Sequence, residues 1–470
     1  MTDFAQAFAP FAEKMRRAGL PEIVVRTFAY YFEQLLSGET GLIPESEIEP
    51  VTALPDVEAF PESLAESGHK ALKRTVLLKL NGGLGTTMGL DKAKSLLEVK
   101  EGLSFLDIIA RQALHAGVPL ILMNSFRTHA DSLAALAVYP ELKGELPLDF
   151  VQHKVPKIDQ RTLSPVSWPE DPALEWNPPG HGDIYTALVT SGMLERLLAA
   201  GYEYAFVSNA DNLGAVIDAT ILGYFVEERI PFLMECADRT ENDRKGGHLA
   251  RRKDGRLILR ESAQCPPEDA DAFQDIRRHR YFNTNNLWLN LRALQEVMAA
   301  RDNILGLPMI RNRKHVDPRR LDSTPVYQLE TAMGAAIALF PGAQAIRVPR
   351  TRFAPVKSTA DLLAVRSDAY VLTADYRLVL HPDRHTPPPS IHLDPDYYRL
   401  IAQLEARFPF GPPSLRLCTS LRVEGDFRFG RGVVCEGAVH LQNRLGRQVH
   451  IPDHSRLQGV HTFQPEYAGQ

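Results

Sequence analysis

The chain has 470 residues, 44% hydrophobic and 24% charged, with no low-complexity tract, a composition that predicts two or three domains with at least one large core and argues against disorder. Its 53 basic and 58 acidic residues leave a net charge of −5, which supplies no global field for nucleic acid or an anionic membrane, so an anionic ligand needs a local cluster of cations. No apolar run approaches the roughly 20 residues of a membrane span, and the start lacks a basic segment followed by an apolar one; a soluble, cytoplasmic protein with no membrane or nucleic-acid partner is expected.

Residues 1–72 read as a helical cover. Apolar positions recur three and four apart in "FAQAFAPFAEKM" and "IVVRTFAYYFEQLL", and a connector rich in Pro and Glu follows. Over residues 73–375, short apolar strands ("TVLLKL", "PLILMNS", "YAFVSN", "FLMECA", "FNTNNLWLNL") alternate with helical patterns such as "FLDIIARQALHAG". That alternation predicts a mostly parallel mixed sheet with helices on both faces. "RKDGRLILRESAQC" stands apart as an antiparallel excursion turning at Asp254-Gly255. In residues 376–470 apolar residues pair two apart, as at Leu421 and Val423 or Phe427 and Phe429, between glycines at 425, 430, 432 and 437. A repeat near six residues suggests a few coils of β-helix, with sheet edges suited to self-association; an ordinary antiparallel cap is the alternative. Cys236, Cys265, Cys418 and Cys435 show neither zinc nor redox spacing and read as reduced packing residues.

The chemistry concentrates in "LKLNGGLGTTMGLDKAKS", where a strand runs into Gly82, Gly83 and Gly85 and on to Lys92 and Lys94. Glycines that accept positive φ bring bare amides close to a ligand, the arrangement that cradles phosphate oxygens. The dinucleotide pattern fails, because Met88 stands where its third glycine belongs, and no Walker-type loop fits. A tight strand-to-helix turn is the bland alternative, and three glycines in four positions exceed its needs. Lys94 is the better charge-neutralising group, since Lys92 reads equally well as a solvated surface residue.

"LNGGLGTTMG" and "KSLLEV" resemble the signature of the eukaryotic-type UTP-glucose-1-phosphate uridylyltransferases (UDP-glucose pyrophosphorylases). The resemblance continues in family order through "LILMNSF", "PPGHGDIY", "FVSNADNLGA", "KGGHL", "FNTNNLW", "QLETAMGAAI" and "VPRTRFAPVKSTADLL". Covering about residues 75–375, it implies a Rossmann-like nucleotidyltransferase core and synthesis of UDP-glucose and pyrophosphate from UTP and glucose 1-phosphate with Mg²⁺; the repeat in the tail adds the expectation of a C-terminal left-handed β-helix-like domain. One departure is Ala93, where the family usually has Pro before the loop lysine.

A sugar phosphate already carries about −1.5 to −2 charge near neutral pH, so no side-chain nucleophile or strong base is required. The protein must align two anions and offset their repulsion. Asp211, at the carboxyl end of an apolar strand, is the natural Mg²⁺ ligand, although Asp there often caps a turn. The resemblance implies nucleotide contacts at Leu80, Gly82, Gly83, Gly85, Gln152, Gly180, His181, Asn209 and Asp211, with Gln152 and Gly180 near uracil. Without it, His181 reads as a turn-stabilising residue and Gln152 as a loop amide. The same resemblance assigns phosphate stabilisation at the reaction centre to Lys94 and Lys357, and sugar contacts to Asn285 and Glu330, with Lys245-Gly246-Gly247 nearby. A UDP-sugar pyrophosphorylase of wider range, and a silent nucleotide sensor assembled through the tail, are the competing readings.

Overall fold

The computed structural model describes residues 4–465. Helices Phe4–Arg17 and Glu22–Leu36 form as their apolar spacing requires. They interleave aromatic rings, with Phe11 4.7 Å from Phe32 and 5.5 Å from Phe28 between centroids. Their shared face buries Val155, Ile158, Met309 and Leu329, so the pair covers the small sheet of Ile158–Asp159, Pro325–Glu330 and Ile310–His315.

The central sheet has ten strands. Tyr204–Asn209, Thr75–Asn81, Leu120–Asn124 and Asp149–Val151 lie side by side and parallel; Tyr281–Asn290 joins antiparallel to the first of these and to Phe232–Asp238. Thr75–Asn81 is buried along nearly its whole length, as a strand covered on both faces must be. Helix Phe105–Ala116 covers one face, started by a capping box between Ser104 and Asp107 and ended by Gly117 in the left-handed region. The register brings the carboxyl ends together: Leu80 pairs with Asn209, Asn81 with Asn124, and Asn124 with Val151. Gly82, Gln152 and Asp211 therefore leave the sheet along one edge, where open α/β sheets hold ligands.

The expected excursion is the antiparallel pair His248–Arg252 and Leu257–Arg260, turning at Gly255 with φ +90°. In the tail, Ser390–Leu393, Ser414–Glu424, Val434–Asn443 and Arg456–Phe463 stack as four parallel strands, with a second parallel pair, Phe427–Phe429 and Val449–Ile451. The parallel pairing sets aside the antiparallel cap. Leu421 lies beside Val439 and Val439 beside Gly459, so one coil takes 18–20 residues, and Leu421, Val423, Phe427 and Phe429 all point inward. The expected border at 375/376 falls in the turn between strands Tyr370–Leu372 and Leu378–Leu380, and one apolar cluster runs from Phe105 through Leu362 and Tyr398 into these coils. Among the described residues no helix is long and apolar enough to cross a membrane.

Candidate active site

The glycine loop is shaped by three different demands. A side chain on Gly82 would stand 2.7 Å from Gln152 Nε2, whereas Gly83 faces open space. Gly85 and Gly89 adopt φ of +62° and +78°, which only glycine enters at little cost. The Lys94 amide donates to the Gly83 carbonyl at 3.1 Å and closes the loop. Ala93 holds φ −53°, within the range a proline ring imposes, so the departure from the family leaves the backbone path intact.

Facing this loop is the turn after Pro178-Pro179. Gly180 sits at φ +81°, and a Cβ there would lie 2.4 Å from the Thr331 carbonyl. His181 Nδ1 accepts from the Met333 amide at 3.0 Å, which puts the ring proton on Nε2. Burial pushes the imidazole pKa down to about 4, so near neutrality the ring is an uncharged donor.

Loop and turn enclose a cavity of about 300 Å³ lined by Leu80, Gly82, Gly83, Lys94, Gln152, Gly180, His181, Asn209 and Asp211, together with Asn81, Ser95, Met123, Pro178 and Ala210. Lys94 Nζ and Asp211 Oδ2 are 2.7 Å apart and mostly shielded from solvent, the one cation and the one carboxylate among these lining residues. Nine sequence-derived candidates thus share one space. Gly85 shapes the loop from outside it, and Lys357, Asn285 and Glu330 lie beyond its walls.

Lys357 is exposed, its ammonium 5.8 Å from the Phe353 ring centroid, but the backbone beneath it is fixed. The Val356 amide donates to the Asp211 carbonyl at 3.1 Å, and Asn212 Oδ1 accepts from the amides of Gly214 and Ala354. The segments carrying Asp211 and Lys357 are therefore stitched together. Below them Glu235, wholly buried, accepts from Arg352 at 2.6 and 2.7 Å, from Trp288 Nε1 at 2.9 Å and from Asn286 Nδ2 at 3.0 Å. All four lone-pair directions are used, as a buried carboxylate requires. Lys79, also wholly buried, donates to Ser208 Oγ at 2.7 Å and to the Ala215 carbonyl at 2.8 Å, and burial lowers its pKa to about 7. Neither Lys79 nor Glu235 is signalled by sequence spacing.

The expected sugar contacts spread out. Asn285 occupies a bulge opposite Glu235 and Cys236 at φ +60°, a conformation Asn tolerates, and exchanges hydrogen bonds of 2.8 and 2.9 Å with Asn283. Glu330 lies against Gly180 and lines a separate small cavity under Val24, Phe28 and Tyr31, where burial raises its pKa against the opposing pull of Asn312 and Lys314. Glu261 was not singled out by sequence. Its carboxylate closes on Gly247, where a Cβ would stand 2.5 Å from Oε2; burial raises its pKa while the nearby Lys357 draws it down.

The sequence profile of the family described as UTP–glucose-1-phosphate uridylyltransferase matches residues 25–436. The UTP–glucose-1-phosphate uridylyltransferase of Solanum tuberosum is 41% identical over 431 residues, 89% of this chain and 88% of that one. Among solved structures, the UDP-glucose pyrophosphorylase of Leishmania major described in open and closed forms superposes with a TM-score of 0.90 at 47% identity, covering 98% of this chain and 99% of that one. A single-residue variant of the Leishmania major enzyme in complex with UDP-glucose gives the same score and identity, over 98% and 100% of the two chains.

Proposed function

The chain belongs to the UTP–glucose-1-phosphate uridylyltransferase family, and from that membership we infer that it joins UTP and glucose 1-phosphate into UDP-glucose with release of pyrophosphate. The observation that carries the siting of this reaction is the Lys94–Asp211 pair at the wall of a cavity with bare glycine amides on one side and a neutral imidazole donor on the other. Uracil would lie between Gly82, Gln152 and Gly180 over the apolar floor of Leu80 and Met123. The amides of the glycine loop and the Lys94 ammonium would receive the phosphates. The sugar phosphate oxygen attacks the α-phosphorus of UTP, a P–O bond forms as the bond to pyrophosphate breaks, and the leaving group keeps the electron pair. No proton needs to leave the attacking oxygen.

Mg²⁺ fits the residues present. Asp211 offers one hard oxygen donor beyond the one paired with Lys94, and Mg²⁺ commonly takes one or two carboxylates and completes its shell with phosphate and water. When bound it supplies neutralisation of charge on the phosphates. The residues' own part is separable: Lys94 holds the α-phosphate side, and Lys357, anchored through Val356 to Asp211, supplies a second ammonium as charge builds on the leaving group. On the family reading glucose contacts fall to Asn285 and Glu330, both outside the cavity given to the nucleotide, with Glu261 a further oxygen acceptor near Lys357.

The coil stack of the tail supports a left-handed β-helix reading, since 18 residues is three six-residue sides, and its outer strand Arg456–Phe463 leaves an open edge. With Val460 67% exposed on that edge and Leu417 56% exposed two strands away across Val434–Asn443, homo-oligomers formed through the tail, in a cytoplasmic enzyme, complete the reading. Pyrophosphate release measured with UTP and a panel of sugar 1-phosphates, with and without EDTA, tests the reaction. Glucose 1-phosphate should be preferred and the chelator should abolish turnover; equal rates across the panel would favour a broad UDP-sugar pyrophosphorylase. Light scattering of wild type and Val460→Lys tests the tail, and identical masses would remove its role.

A further inference from the structure

We propose that Asp183 and His153 form a positioning clamp that sets the base selectivity of the cavity, by locking Gln152 against the turn carrying Gly180 and His181; this rests on the uracil-reading role given to Gln152 above. The two walls come from separate parts of the chain whose backbones pair a few residues further out, where Val155–Pro156 meets Trp176–Asn177 antiparallel, leaving Gln152 and Gly180 three residues beyond that ladder. Gln152 follows strand Asp149–Val151, whereas Gly180 and His181 begin the turn into helix Ile184–Thr190. Asp183 spans the gap. Its Oδ2 accepts from the His153 backbone amide at 2.7 Å, and its two oxygens accept from His153 Nδ1 at 2.9 and 3.0 Å. One carboxylate thus grips a single residue through both main chain and side chain. The other ring nitrogen, Nε2, meets Thr190 Oγ1 at 3.0 Å, about two helical turns further on. Both partners of the pair are almost wholly buried, with side chains 9% and 5% exposed, which keeps the contact out of competition with water.

The residue next to this grip is the one that faces the ligand. Gln152 is held on one side by its amide, which donates to the Asn124 carbonyl at 2.7 Å, and on the other by the clamp at residue 153; its side chain lies across Gly82. Asp183 stands two residues after His181 on the opposite wall. Uracil and cytosine differ only in the donor and acceptor pattern of one edge, so discrimination depends on where the Gln152 amide stands relative to Gly180. A wall free to drift accommodates either edge through a water or a shifted amide, and a site built to hydrogen-bond one pattern loses its advantage. The clamp touches neither base nor phosphate, so its effect should fall on selectivity and KM and spare the chemical step.

The test is the kcat/KM for UTP against CTP in the full-length protein, with glucose 1-phosphate held constant and a thermal melt run on each variant. Asp183→Asn should lower the UTP:CTP ratio about tenfold or more, chiefly through KM for UTP, with kcat within about threefold of wild type. His153→Phe should do the same. His153→Asn, whose amide restores a donor near the Nδ1 position, should recover most of the ratio. If Asp183→Asn and His153→Phe fold, as judged by their melts, and keep the wild-type ratio, or if all nucleotides weaken equally, the clamp is overturned while the reaction stands. Should Asp183→Asn fail to fold, the contrast between His153→Phe and His153→Asn decides alone. Gln152→Ala separates the two levels: an unchanged UTP:CTP ratio in that variant overturns the uracil-reading role itself.

Discussion

Lys94 and Asp211 neutralise each other across 2.7 Å, and the same two groups are the ones a triphosphate and a divalent ion would separate. On the proposed siting, replacing Lys94 removes a cation from the phosphate side of the cavity and leaves a mostly shielded carboxylate without its partner. Lys94→Met should lower kcat/KM by about 10²–10³-fold, the usual loss when one stabilising donor is removed, and should also lower the melting temperature modestly. Lys357 makes the contrast clean. Its side chain is exposed and enters no ion pair within 4 Å among the described residues, so Lys357→Ala should leave the melt unchanged while most turnover is lost. Pyrophosphate release and scanning calorimetry on the two variants check both; full activity in Lys357→Ala would remove it from the reaction centre. Sequence singles out both lysines because their motifs are local. It gave no hint of Glu235, whose partner Arg352 lies 117 positions away and reads in sequence as one member of a solvated basic run. Arg350 in that run is the exposed residue such a reading anticipates, and Arg352 is buried.

At the scale of single elements, the glycine loop was legible because the glycines advertise their own conformational demands, and the bulge at Asn285 was not, because alternating asparagines look alike in a straight strand and a kinked one. The loop also carries a prediction about rigidity. Ala93 is buried with φ −53°, and its amide donates no backbone hydrogen bond among the described residues. A proline there keeps the φ, sacrifices no bond and restricts the unfolded chain. Ala93→Pro should accordingly raise stability by about 0.4–1 kcal/mol, read as a higher midpoint in urea at unchanged slope, with Lys94 held where it stands and activity equal to or above wild type. A lower midpoint would mean that the pyrrolidine ring overfills the pocket and that this chain has repacked around its alanine.

For the whole molecule, the succession of helices, mixed sheet and short tail strands follows the periodicity of the sequence, whereas the buried charges do not, since apolar spacing reports faces and is silent on which polar groups meet inside. One consequence of that interior is acid sensitivity. His248 and His279 are both wholly buried and stack 3.8 Å apart; burial holds both below the usual imidazole range, that of His248 well below, with Arg239 and Arg260 adding to the push and Glu45 opposing it at His279. A folded pKa beneath the unfolded value means that the unfolded chain binds more protons once pH drops below about 6.5, so unfolding is favoured by acid. Glu45 works in the same direction, because its lowered carboxyl pKa contributes stability that is lost as pH falls below 4.5. Glu261 and Glu330, held high by burial, oppose the trend between their unfolded and folded values, so the total slope mixes signs and a variant must isolate the imidazole. His248→Gln does so, since Gln carries no titrating proton. Between pH 6.5 and 5 the wild type should lose up to about 1.4 kcal/mol per pH unit more than this variant, one proton's worth of linkage, seen as a steeper fall of the melting temperature. Parallel lines for the two proteins would mean that His248 is already protonated in the folded chain, and with it that the stacked pair accommodates a cation where the geometry leaves Nε2 of His248 and Nδ1 of His279 without hydrogen-bond partners among the described residues.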